Sequence, residues 1–186
     1  MGYSISWCSL RASKESALRA LGFKETDEVD QANEAPFSAA YLPSGWSIVW
    51  ANDVDFASPG NLERLHLPTP VIACQIEEHS MYSACHEVND GLLSWSVWHD
   101  AQVDVYDLNS FGNVPQEFEA IAAAQRAEQE ANGGTEAGVD YIFDAPVELA
   151  MALTSYRHDR WRFDWGEPRF TAIKRRHRPR LGLFRR

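Results

Sequence analysis

Asp90-Gly91 separates two runs in which apolar and polar residues alternate, MYSACHEV before it and LLSWSVWHDA after it. Alternation is the period of a strand, and Asp-Gly readily supplies the two positive φ angles of a type I′ hairpin turn. The pair constrains the fold strongly, because the two runs must then be antiparallel neighbours. A third run, VIACQIEEH, precedes them. Residues 71–100 are therefore expected as a three-stranded antiparallel meander.

The rest of the chain supplies further strands and several helices. GYSISWCSL alternates Tyr3, Ile5 and Trp7 with small polar residues, and Trp46 to Trp50 is a strong β run after a Pro-Ser-Gly turn. VDVYDL reads as one more strand. Ser13 caps KESALRALGF, while residues 25–36 read as an acidic loop. SPGNLERLHL is a short helix. VPQEFEAIAAAQRAEQEANGG is a helix with Pro115 early and Gly133-Gly134 at its stop, and Asp144 caps a last helix, DAPVELAMALTSY. Strands and helices segregate, so the expected class is α+β: an antiparallel sheet of about five to six strands with helices packed on it. A single domain is expected over residues 1–173, with a basic tail over residues 174–186.

Charge is unevenly spread. Residues 174–186 carry seven Lys and Arg and no acid, which leaves ten basic residues against 27 acidic ones in residues 1–173. Such a tail invites a polyanion, yet the acidic body repels phosphates, so nucleic acid is an unlikely partner. The tail is expected to fold back, with Leu181, Leu183 and Phe184 packed on the body. No run approaches a membrane span, and the N-terminus lacks a signal-peptide pattern, so a cytoplasmic location is expected. Three sparse cysteines then read as reduced thiols.

Candidate chemistry follows from register. A two-residue turn at Asp90-Gly91 pairs Asn89 with Leu92, His86 with Trp95 and Tyr82 with His99. A loop at His79-Ser80 pairs Glu77 with Tyr82 and Cys74 with Cys85. Glu77, Tyr82 and His99 would then form one row across three strands, close enough for a general acid–base relay or for a plain hydrogen-bonded sheet end. Arg157 and His158, just past the last helix, could hold an anion; equally, basic residues there complement the helix dipole. No metal site is expected, because adjacent Cys85 and His86 point to opposite faces and no tight ligand spacing occurs. No cofactor is expected either, since a phosphate loop and a nucleophile elbow are both missing.

The strings YSISW, WANDVD, QIEEHSM, WSVWHDA, AEQEANGG and VDYIFDAPVELAMALTSYRHD resemble an uncharacterised family of small bacterial cytoplasmic proteins with no assigned function. The resemblance runs over residues 3–159. It implies a bacterial, cytoplasmic origin and carries no activity, cofactor or site residue. Two functions fit the sequence. One is a non-enzymatic acidic module that binds a basic protein partner, immunity- or antitoxin-like in general character. The other is an enzyme built on the Glu77, Tyr82, His99 row.

Overall fold

A computed structural model of the chain describes residues 2–176. Nine strands make one sheet: β1 (Ser4–Leu10), β2 (Phe23–Val29), β3 (Phe37–Tyr41), β4 (Ser47–Ala51), β5 (Val71–Glu77), β6 (Tyr82–Asn89), β7 (Leu92–Asp100), β8 (Leu108–Gly112) and β9 (Thr171–Arg175). Their spatial order is β2-β9-β3-β4-β1-β5-β6-β7-β8, and each neighbouring pair is antiparallel. Among the described residues four α-helices, α1 (Lys14–Ala20), α2 (Pro59–Glu63), α3 (Glu117–Ala131) and α4 (Asp144–Thr154), and a short 3-10 helix, Gly134–Glu136, complete the fold. The class is α+β, but the sheet has nine strands where five to six were expected.

The extra strands are ones whose sequence does not look like strand. β2 lies largely in the stretch expected as an acidic loop, and its Lys24, Glu25, Asp27 and Glu28 read as a solvated run. It is an edge strand, and charged side chains on an edge discourage pairing with another chain. β9 crosses the expected boundary at residue 173, so Lys174 and Arg175 belong to the sheet. The Arg175 guanidinium sits 5.2 Å over the Phe23 ring and 5.0 Å over the Phe37 ring, and Arg176 Nε donates to Phe23 O at 2.7 Å. The remainder of the tail, including Leu181, Leu183 and Phe184, lies outside the described residues.

The sheet is buried on both faces. On one, Cys8, Leu10, Val49, Val71, Ala73 and Val88 pack under α1 and α2. Ser13 does cap α1, accepting from Ser16 N at 3.3 Å. On the other, Ile5, Trp7, Ile48, Cys74, Cys85 and Val97 pack under α3 and α4. Burial on both faces explains why β4 and β5 read as near-continuous apolar runs.

The meander forms over β5, β6 and β7 as expected. Asp90 (φ 50°) and Gly91 (φ 75°) both occupy the left-handed region that a type I′ turn demands. The register beyond the turn differs from a plain hairpin. Val88 pairs with Leu93, but Glu87 pairs with Trp95, so Ser94 is an extra residue on β7. This β-bulge shifts every later pair by one.

Candidate functional site

The shift dismantles the expected row. Glu77 does pair with Tyr82, and Cys74 with Cys85. Tyr82, however, faces Asp100, while His99 faces Ser83 on the opposite side of the sheet. The row that forms is Ser4–Glu77–Tyr82–Asp100. Ser4 Oγ donates to Glu77 Oε2 at 2.5 Å, and His79 Nδ1 lies 2.8 Å from Glu77 Oε1. Those bonds hold the Glu77 carboxyl below its usual range. Burial, reinforced by Asp100, raises the Tyr82 phenol. A phenol raised in this way is a poor general base, and the imidazole at this row is His79, bonded to Glu77, rather than His99.

His99 serves packing instead. It is fully buried, with Nδ1 2.9 Å from Asp107 O and Nε2 2.8 Å from Asp140 Oδ2. Asp140 Oδ1 in turn accepts from Phe143 N at 3.1 Å, at the start of α4. Asp140, not Asp144, thus satisfies that helix start. His99 and Asp140 pin α4 to the sheet.

Arg157 is equally committed. It is buried, and three carboxylates surround it. Nη2 donates to Asp144 Oδ1 at 2.8 Å and Nε to Asp159 Oδ1 at 2.7 Å, while Nη1 donates to Glu148. With its fork filled by carboxylates, it has no face left for an anion. The expected anion holder is the hub that locks α4 to the segment after it.

His158, the other residue of that pair, turns away from the hub. Its ring meets Tyr3 edge-on at 5.1 Å, and it lines a cavity of about 240 Å³ together with Asn33, Tyr156 and Phe170. Burial pulls its pKa down to about 4, so the ring is neutral at pH 7.

A further stretch of exposed charge lies on α3 and the loops beside it. Residues 100–140 hold nine carboxylates and one arginine. Asp104, Glu117, Glu119, Glu128, Glu130 and Glu136 are exposed, and none of them lies in an ion pair among the described residues. Phe118, Ala122 and Gln129 set the buried face of α3. At 100° per residue the opposite face carries Ala120, Ala124, Ala127 and Ala131, all exposed. Their spacing of four, three and four is that of a helix–helix seam. Glu128 and Glu130 flank the seam, one on each side. Tyr106 Oη donates to Glu130 Oε1 at 2.6 Å and ties the β7–β8 loop to this end of the helix. Only the spacing of those alanines hinted at this surface, and alanine is also simply a good helix former.

Among the described residues, no group of three His, Cys, Asp or Glu side chains is placed to hold a metal ion. Cys8, Cys74 and Cys85 are free and buried, and burial raises all three thiols. No helix among the described residues is long and apolar enough to cross a membrane. No protein-family model matches the chain, and neither a curated protein nor a solved structure matches it.

Proposed function

We propose that the protein is a non-enzymatic binding module that captures a basic helical segment of a partner protein along α3. The alanine seam between Glu128 and Glu130 carries this reading. Small side chains let a second helix approach closely, to the 8–10 Å interaxial range of packed helices. The seam gives no polar penalty to its burial, and the glutamates beside it select lysines or arginines at the flanking positions of the incoming helix. The field of nine carboxylates steers such a partner before contact and suppresses acidic competitors. A core of apolar surface with a charged rim is the usual anatomy of a protein interface.

In general character this matches immunity and antitoxin proteins, which mask basic partners. The bacterial, cytoplasmic origin that the sequence resemblance implies would place the partner in the same compartment.

Affinity capture from the native cytoplasm tests the reading, with the wild type beside Ala127→Arg and the double variant Glu128→Lys, Glu130→Lys. Each is run with and without residues 177–186, because that basic segment is a charge complement within the same chain. The expected result is one basic protein retained by the wild type, lost at raised salt and lost in both variants. Equal retention by all three proteins would overturn the reading.

A further inference from the structure

We propose that the cleft where α1 ends, beside the β4–α2 loop and α2, seats the chain's own C-terminal segment, residues 177–186. That segment lies outside the described residues, and the point at which the chain leaves them identifies the cleft. The inference is separate from capture along α3, which packs on the opposite face of the sheet.

The path of the chain carries the proposal. β9 runs antiparallel to β2, with Ile173 opposite Glu25, Lys174 opposite Lys24 and Arg175 opposite Phe23. Arg176 extends the pairing by one residue: its N–H donates to Gly22 O at 2.8 Å, and its Nε to Phe23 O at 2.7 Å. The next residue in that direction is Leu21, the C-cap of α1 and a wall of the cleft. Arg175 lines the same cleft. The chain therefore leaves β9 at the mouth of the cleft and directed toward it. A second apolar cleft, lined by Pro36, Phe37 and Ile173, lies back along β9, and the chain would have to reverse to reach it. Ten residues follow Arg176. At roughly 3.3 Å per extended residue, Leu181, Leu183 and Phe184 can all reach a cleft that borders Arg175.

Cleft and segment also match in chemistry. The apolar walls are Leu21, Phe56 and Leu65, around a volume of about 280 Å³. Leu65 is 43% exposed, and the half-buried Phe56 ring lies 5.9 Å from that of Phe23 and 5.2 Å from that of Phe37. The segment, HRPRLGLFRR, brings three large apolar side chains, of which the Phe184 ring is the largest. It also brings four arginines and no acid, whereas residues 1–176 hold 27 acidic residues against 13 Lys and Arg. Asp53 on the cleft wall and Asp55, exposed in the same loop, lie in no ion pair among the described residues. Arg64 and Arg175, of the segment's own sign, line the cleft too. Apolar contact rather than charge therefore holds the segment there, since exposed ion pairs contribute little beside the burial of large apolar side chains. The tether at Arg176 gives the segment a high effective concentration at its seat.

The test uses full-length protein with ¹³C-labelled leucine methyl groups. The expected result is nuclear Overhauser contacts from the Phe184 ring to the Leu21 and Leu65 methyls, and none to those of Leu108 on β8. These contacts should persist at raised salt and vanish in Phe184→Ala. Melting midpoints add a second readout: Phe184→Ala and Leu65→Asp should together lower the midpoint by less than the sum of their separate losses, because both remove one contact. Several results would overturn the proposal: no contact from Phe184 to either leucine, contacts to Ile173 or Leu108 instead, loss of the contacts at raised salt, or strictly additive losses. So would contacts that arise only between labelled and unlabelled chains in a mixed sample, since they would place the segment on a second copy. The wild-type contacts decide the matter even if a variant folds poorly, and they are read without reference to any partner of α3.

Discussion

Leu93 and Trp95, two residues apart on β7, bury on opposite faces of the sheet: Leu93 with the cluster under α1 and α2, Trp95 with the cluster under α3 and α4. In a regular strand they would share a face. The Ser94 bulge separates them, and by doing so it sends His99 toward Asp140 rather than toward Tyr82.

The bulge depends on Gly112. Its φ is 75°, and a Cβ there would come within 2.2 Å of Ser94 O. Gly112→Ala should therefore cost on the order of 2 kcal/mol or more, from left-handed strain and the backbone clash together. Gly138, which has nothing within 4 Å of a Cβ position, is the control; Gly138→Ala should change stability by less than about 0.5 kcal/mol. Urea unfolding of the two variants checks this.

Much of the fold was legible because local chemistry and global structure agreed. The Asp90-Gly91 turn, the Ser13 cap and the stop of α3 at Gly133 (φ 113°) each rest on a residue type that suits its backbone. What was not legible has physical causes. β2 is charged because it is an edge, so it lacks the alternation of a half-buried strand. The bulge left no mark at Ser94 itself; its only trace was Gly112, an unremarkable glycine until β8 is placed beside it. The cavity lined by Asn33 and His158 has no motif, since its walls come from the residues before β1, the loop after β2 and the long stretch between α4 and β9. Arg157 was legible as a polar cluster, but its three carboxylates could not be assigned to it from spacing alone.

Arg157 should matter for stability rather than ligand binding. Removing it leaves Asp144, Glu148 and Asp159 facing one another without their cation. Breaking one side of a buried ion cluster costs about 3–5 kcal/mol. The three carboxylates are partly exposed, so Arg157→Met should fall near the lower end. Arg157→Lys should recover only part of the loss, because an ammonium cannot reproduce the fork. Thermal and chemical unfolding of the two variants measure the difference.

Mild acid should destabilise the protein through two buried histidines. His86 Nε2–H donates to Ala57 O at 2.8 Å, and its Nδ1 is buried without a partner. Burial lowers the pKa of His86 and of His158 from 6.5 to about 4. Between those values the unfolded chain binds protons that the native state refuses. Stability is thus full above about pH 6.5, falls as pH drops toward 4, and loses nothing more from these groups below that. The loss is on the order of 3 kcal/mol per histidine over the whole range. His86→Gln should halve the slope of stability against pH between 6.5 and 5, whatever it does to stability at neutral pH. Equal slopes for wild type and variant would show that His86 takes up its proton in the folded state.

Photo-crosslinking from α3 tests the central claim most directly. A crosslinking amino acid is placed at Ala127 on the seam, and at Tyr41, exposed on β3, as the control. In the native cytoplasm the account predicts that position 127 captures a single protein through a lysine- or arginine-rich helix, and that position 41 does not. Adding Glu128→Lys and Glu130→Lys should abolish the crosslink. A crosslink that persists after this charge reversal, or equal labelling from both positions, would contradict it.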